Sequence, residues 1–379
     1  MSWLAWIQRA VFLLVLIGLV SAASKAVERW QAETSVLKTE AQRLRSDAAA
    51  EPDPLVSAAL ARDAERRESS LPSLANVRWE RVSLAGLLYA CGLVPPGCVL
   101  HCCLKALAVS CTLRRAIAAQ LLGHAGKYIP GKAMVVFLRV GAILPQSGTS
   151  VVEAAAGSGA NESGPPQRDT GRPLGRATSS VFFETLVMMG VGAAVAGVLL
   201  WQSPLPTWVR GCAAAMAGLS LIPVCPPILR RILAFIAARR KLASSPDGGI
   251  ASTTITWSLL GQCWLLSLVS WVLIGLSFAM LITAIPSFAP LPSATQIVTV
   301  ATAAISLGMV LGFVSLLPGG AGVREYVTLL VLAPLIGQTH ALLAVIAARL
   351  MFILVEAVLA SLSAAYLRHL RYLQPISHG

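Results

Sequence analysis

The chain has 379 residues, 56% of them hydrophobic and only 12% charged, against about a quarter charged in ordinary soluble domains. A water-soluble enzyme of two or three mixed-composition domains is excluded, and the composition is that of an integral membrane protein. The net charge of +13 would suit nucleic acid if it lay on a soluble domain, but its placement argues for topology. Ten bases balance ten acids between Lys25 and Arg81, and six bases with no acid lie from Lys105 to Arg139. Further clusters (Arg230, Arg231, Arg239, Arg240 and Lys241; Arg368 and Arg371) flank apolar runs, where the positive-inside rule places excess Lys and Arg. No nucleic-acid partner is expected.

Taken in chain order, Trp3 to Ala23 carries Arg9 as its sole charge and is long enough to cross ~30 Å of hydrocarbon at ~1.5 Å per residue. Val20-Ser21-Ala22 offers a small-residue cleavage pattern, but among several later spans the segment reads as an uncleaved anchor, residues 1–23. Residues 24–81 are polar, with Trp30, Leu37 and Leu44 recurring every seventh position until Pro52 and Pro54. That pattern predicts a short helical arm outside the bilayer. Residues 82–146 hold a span from Val82 to Leu100, interrupted by Pro95-Pro96-Gly97, and then the all-basic stretch. Residues 147–176 are rich in Gly and Pro and lack aromatics, which predicts a disordered linker. Residues 177–367 form the transmembrane core: Ala177 to Trp201, Trp208 to Pro226, Thr254 to Ile285, Ala294 to Leu317, a short piece from Tyr326 to Ile336, and Ala341 to Leu367. Residues 368–379 make a cytosolic tail. The fold class is all-α, a polytopic transmembrane helical bundle of about eight crossings, with both termini cytosolic in the inner (plasma) membrane.

Two local features break this helical pattern. Gly126 to Lys132 reads G-x-x-x-x-G-K, nearly a phosphate-binding P-loop. However, Ala133 has no hydroxyl for magnesium and Pro130 lacks an N–H, so nucleotide binding is not expected. Pro130-Gly131 instead interrupts an amphipathic stretch flanked by Lys127, Lys132 and Arg139. Broken helices at membrane depth line cavities or pack within protein, and a helix resuming after Gly131 would present its N–H groups to an anion. An interfacial helix whose cations touch lipid headgroups remains an alternative. The second break, Pro318-Gly319-Gly320, is followed by Arg324 and Glu325. A pair of such breaks in two halves of a hydrophobic chain points to a site built from discontinuous, broken or re-entrant helices, here a positively lined pocket formed by both.

Glu184, Arg349 and Glu356 lie inside apolar runs, where each needs a partner on another helix. Arg349 and Glu356 share a face but stand ~10 Å apart along the axis, so Arg349 is expected to pair with Glu184 or Glu325. Gly190, Gly192, Gly197, Gly308 and Gly312 suit close helix approach. Trp201, Trp208, Trp257 and Tyr372 suit the interfacial belt. The eight cysteines show no zinc-type spacing and read as buried thiols; no metal and no cofactor is expected.

Together, Gly123-His-Ala-Gly-Lys-Tyr-Ile-Pro-Gly-Lys132 with Arg139, Phe183-Glu184-Thr185, Leu317-Pro-Gly-Gly-Ala-Gly-Val-Arg-Glu325, and Ala348-Arg349 with Glu356 resemble the lysylphosphatidylglycerol synthase transmembrane region family, also called flippase-like. The resemblance runs roughly from Val82 to Leu367. In its best-known members, the bacterial multiple peptide resistance factors, this region is associated with moving an aminoacylated phospholipid between leaflets, and a separate soluble domain makes that lipid. No counterpart of that domain follows Leu367 here, so lysyl transfer from tRNA is not expected. The family also includes archaeal membrane glycosyltransferase-like members. The resemblance places its first motif on Lys127, Tyr128, Pro130, Gly131 and Lys132, and its second on Pro318, Gly319, Gly320, Gly322, Arg324 and Glu325.

The expectation is a protein that binds a phosphorylated lipid or lipid-linked substrate and lets its headgroup cross the membrane, more transporter than enzyme. Its substrate site would draw on Lys127, Tyr128, Pro130, Gly131, Lys132, Arg139, Glu184, Pro318, Gly319, Gly320, Arg324, Glu325, Arg349 and Glu356. The alternative is a membrane glycosyltransferase-like enzyme acting on a polyprenyl-phosphate or lipid-linked sugar, although no Asp-x-Asp occurs and the acids of the apolar part are Glu184, Glu325 and Glu356. A third reading is a partner subunit docking through the arm. A homo-oligomer or a lipid-modifying enzyme stands open as partner.

Overall fold

The computed structural model describes residues 34–69, 76–127, 133–144, 171–201, 256–287, 290–315 and 317–372, with isolated positions at 24, 28, 31 and 32 and between 207 and 231. The segments Trp3–Ala23, Tyr128–Lys132, most of Trp208–Pro226 and most of the 147–176 linker lie outside the described residues. Among those described there is no strand. The helices are α1 (residues 34–50), α2 (Pro54–Ser69), α3 (Trp79–Gly92), α4 (Pro95–Ala106), α5 (Leu113–Gly123), α6 (Ala133–Ile143), α7 (Gly171–Trp201), α8 (Trp257–Ala284), α9 (Ala294–Val314), α10 (Val323–Ile336) and α11 (Gln338–Tyr372).

Five stretches are long and apolar enough to span a bilayer: Trp79–Ala106, Pro173–Trp201, Trp257–Ala284, Ala294–Val314 and Gln338–Leu370. They coincide with five of the expected spans, so the chain is a multi-pass helical membrane protein; a count of eight is not reached among the described residues. α7 begins at Gly171, inside the stretch read as linker. α10 has 14 residues, about 21 Å at 1.5 Å per residue, short for a crossing. Trp201 and Trp257 stand exposed at helix ends, as interfacial anchors do.

Cα packing divides the chain into two units, one of residues 1–89 and 274–352, the other of residues 90–273 and 353–379. In the first, the polar segment 24–81 contains the helices α1 and α2. Leu37, Ala41, Leu44 and Ala48 follow one stripe of α1, and Ala41, Ala48 and Ala64 are buried. The arm is fastened by Ser57 Oγ donating to the Ala48 carbonyl at 2.7 Å and by exposed ion pairs Arg45–Glu68 and Arg67–Glu40, which contribute little individually. The membrane part packs α3, α8, α9, α10 and the start of α11 through small residues. A Cβ on Gly275 would strike the Thr302 side chain, one on Gly308 would meet the Thr328 hydroxyl, and Gly312 faces Gly320. Ser277 Oγ donates to the Ala85 carbonyl at 2.7 Å, and His340 Nε2 lies 3.1 Å from the Ile282 carbonyl. Polar side chains thus find backbone partners where no water is available.

In the second unit, Leu100, Leu104, Ala116, Ala119, Val140, Ile143, Val181 and Leu367 form one buried apolar cluster. Pro95 and Pro96 occupy the first turn of α4, where a missing N–H costs nothing, and the Thr112 side chain accepts from Arg115 N to start α5. α5 and α6 have 11 residues each and pack on each other; at about 16 Å they reach half the hydrocarbon depth. Arg115 closes this hairpin by donating to the carbonyls of Ala142 at 2.7 Å and Leu144 at 3.2 Å. Trp271 Nε1 donates to the Met188 carbonyl at 2.9 Å, with its ring against Gly192.

Gly275 and Gly261 lie on the same helix, but only Gly261 has open space around its Cβ position. Gly275→Ala should lower stability in detergent by about 1–3 kcal/mol through overpacking, while Gly261→Ala should be neutral or stabilising, as read by thermal unfolding of the purified protein.

Candidate functional site

Each unit contains one polar centre built from residues that stand out in the sequence. In the 90–273 and 353–379 unit, Arg139 on α6 is 5% exposed and Glu184 on α7 is 2% exposed. Arg139 Nη1 donates to Glu184 Oε2 at 2.8 Å, Gln120 Nε2 on α5 donates to Oε1 at 3.1 Å, and the Thr185 hydroxyl lies 3.1 Å from Oε2. Gly123 makes room, since a Cβ there would collide with the Arg139 side chain. A buried carboxylate is tolerable only when paired and hydrogen-bonded, and this one has an arginine, an amide and a hydroxyl. In this conformation Arg139 therefore serves Glu184, and Glu184 is not available to Arg349.

Beside it, Glu356 on α11 is 2% exposed and its Oε1 lies 3.2 Å from Lys127 Nζ and 3.5 Å from His124 Nδ1. The Lys127 side chain is 35% exposed. Both basic groups come from the 3-10 turn His124–Lys127 that ends α5. Lys127, Arg139, Glu184 and Glu356 are thus gathered in one unit; Tyr128, Pro130, Gly131 and Lys132 lie outside the described residues.

In the 1–89 and 274–352 unit, the apolar α9 stops and the chain turns through Pro318–Gly320 into α10. Gly319, Gly320 and Gly322 have φ of 60°, 65° and 86°, a left-handed region that glycine enters without a Cβ penalty. Glu325 secures the turn: its Oε2 accepts from Gly322 N at 2.7 Å, a side-chain cap on the start of α10. Its Oε1 faces Arg349 Nη1 at 3.5 Å, and the same Nη1 lies 3.5 Å from the Gly319 carbonyl. Of the two partners expected for Arg349, the structure selects Glu325. Arg324 projects its guanidinium over the Phe352 ring, 5.2 Å from the centroid, and Phe352 stacks on Tyr89 at 3.8 Å. Phe278, Ile305, Thr328, Val345 and Ala348 join Arg324, Glu325 and Arg349 around a small cavity, large enough for about one water. Two arginines and one carboxylate give this lining a positive excess.

Gln120, His124, Thr328 and Phe352 belong to these centres and were not selected from the sequence. Gln120 was detectable as a lone amide in an apolar helix, and His124 as part of the quoted motif. Phe352 and Thr328 carry no signal apart from packing.

Long apolar helices joined by short broken ones, with ionisable side chains paired inside, define a polytopic α-helical membrane protein. The chain belongs to the lysylphosphatidylglycerol synthase TM region family, whose profile matches residues 166–371. That range contains Glu184, the Pro318–Glu325 turn, Arg349 and Glu356. It does not reach residues 82–165, which carry the first Pro-Gly motif and Arg139. No curated protein matches the chain.

Removing one partner of a buried ion pair strands the other, at about 3–5 kcal/mol. Arg139→Met and Glu184→Met should therefore each destabilise the purified protein strongly. The double replacement should cost less than the two singles combined, as a double-mutant thermal-unfolding cycle will show.

Proposed function

We propose that this protein binds a phosphorylated lipid and carries its headgroup between the leaflets of the cytoplasmic membrane, in which it sits with its basic clusters and both termini on the cytosolic side. The arm, residues 24–81, lies outside the bilayer, and the 147–176 segment, whose last residues open α7, lies on the cytosolic side.

The observation that carries this reading is the small cavity lined by Arg324, Glu325 and Arg349 among apolar side chains. Arg324 and Arg349 share it with the single carboxylate of Glu325, so its lining attracts an anion, and the adjoining apolar helices suit acyl chains. Arg324 is the residue for the first contact with phosphate: its guanidinium rests on an aromatic face, and its donors are geometrically suited to phosphate oxygens. Arg349 is already engaged by Glu325 and sets the charge balance. The cavity as observed is smaller than a headgroup, so passage requires the Arg349–Glu325 pair to separate, and the exchange of Glu325 for phosphate supplies the differential interaction that such a change needs. Membership of the family supports the reading, as does the placement of ionisable groups inside membrane helices, which mark substrate pathways.

Liposomes containing the full chain and a trace of fluorescent phosphatidylglycerol should lose inner-leaflet label to an external quencher faster than empty liposomes. Arg324→Gln should slow this at least about tenfold, an effect of about 1.4 kcal/mol. Wild-type vesicles indistinguishable from empty ones would overturn the proposal.

A further inference from the structure

At one end of the 90–273 and 353–379 unit, the last turns of α4, α6 and α11 and the first turns of α5 and α7 close around one buried apolar cluster. Leu104, Ala116, Ile143, Ala177 and Leu367 are the members that these five helices contribute there. Three basic residues rim the cluster: Lys105 follows Leu104, Arg114 precedes Ala116 by two positions, and Arg368 follows Leu367. All three are exposed, and among the described residues none of them pairs with an acid or makes a hydrogen bond. Arg115 differs, since its donors are committed to the Ala142 and Leu144 carbonyls at the end of α6. The described acids of the unit are Glu184 and Glu356, seven residues from Ala177 and eleven from Leu367. At ~1.5 Å per residue they stand ~10 Å and ~16 Å further along their helices. Among the described residues, the rim is therefore cationic and has no acid beside it.

We propose that this rim docks the headgroups of anionic phospholipids in the surrounding leaflet, with Lys105, Arg114 and Arg368 as the phosphate partners. Two of the three mark the depth. The membrane-spanning stretches Trp79–Ala106 and Gln338–Leu370 end one residue after Lys105 and two after Arg368, which sets both cations where hydrocarbon gives way to phosphate. Long basic side chains at such helix ends extend toward the headgroups. Arg114 opens α5 next to the exposed Leu113, so a cation and an apolar side chain stand side by side, which suits a molecule with a charged head and an apolar tail. A zwitterionic headgroup brings its own ammonium and gains little from an uncompensated cation. A headgroup of net negative charge gains about fivefold in affinity for each Lys or Arg it meets. Lipids held here fix the ends of α4, α5 and α11 at the level of the interface. They stay in their own leaflet and need neither Arg324 nor the cavity it lines, so the docking surface stands whether or not a lipid crosses.

The test places the full chain in phosphatidylcholine vesicles with a graded fraction of phosphatidylglycerol that carries a photoreactive diazirine at the start of one acyl chain. Peptide mapping after illumination should locate crosslinks on residues 105–114 and 366–369, at a lower lipid fraction than a phosphatidylcholine probe of the same design requires. Lys105→Gln, Arg114→Gln and Arg368→Gln should each raise the half-saturating fraction of phosphatidylglycerol about fivefold. Thermal unfolding should not change, because exposed side chains without partners contribute little stability. The triple replacement should lower rim labelling to that of the phosphatidylcholine probe and leave leaflet exchange in the quencher assay as in wild type. Equal labelling by the two probes, or a preference that survives the triple replacement, would overturn the proposal. Loss of the preference on adding an equimolar amount of glycerol 3-phosphate would assign the cations to soluble phosphates and overturn it as well.

Discussion

The structure depends on charge balance inside an apolar helical scaffold. Among the described residues, three buried or half-buried acids of the apolar helices face a base: Glu184 meets Arg139 at 2.8 Å, Glu356 meets Lys127 at 3.2 Å, and Glu325 meets Arg349 at 3.5 Å. Hydrocarbon offers no alternative partner, so each pair fixes which helix faces must meet. The three differ in how firmly they are held. Arg139 and Glu184 are both buried and supported by Gln120. Lys127 reaches its carboxylate from a partly exposed position. Arg349 stands at a longer distance and divides itself between Glu325 and a backbone carbonyl. The first suits a fixed register, and the other two suit exchange of partners.

Backbone breaks and small residues place these charges. The hairpin of α5 and α6 delivers Gln120, His124, Lys127 and Arg139 from two short helices, and Gly123 leaves the volume that the Arg139 side chain fills. In the other unit the left-handed glycines turn the chain within a few residues, so that Arg324 and Glu325 begin a new helix close to where α9 ends. Gly308 and Gly312 allow α10 to lie close against α9, which brings Thr328 and Arg324 to the cavity wall.

Much of this was legible in the sequence because hydrophobic length is a strong signal. Five spans, the break at Pro318–Gly320 and the need of an intramembrane charge for a partner followed from composition and spacing. Arg349 with Glu325 was within reach because the two lie on consecutive helices, α10 and α11. Arg139 with Glu184, and Lys127 with Glu356, were not, because residues separated by 45 and 229 positions meet through helix packing that no local pattern encodes. The start of α7 was misplaced for a related reason: Gly171 and Pro173 read as linker, yet the helix begins there, and proline is well tolerated in a first turn. The first Pro-Gly motif reads as a seat for an anionic phosphate held by Lys127, Lys132 and Arg139, and of these Arg139 proves to be directed at an internal carboxylate.

The two oxygens of Glu325 have separate duties, one closing the first turn of α10 and the other facing Arg349. Backbone order at that turn and the electrical state of the cavity are therefore joined through a single side chain. Neutralising that carboxylate would fray the helix start and unbalance the arginines in the same event, which makes this glutamate a mechanical coupling as well as a counter-ion.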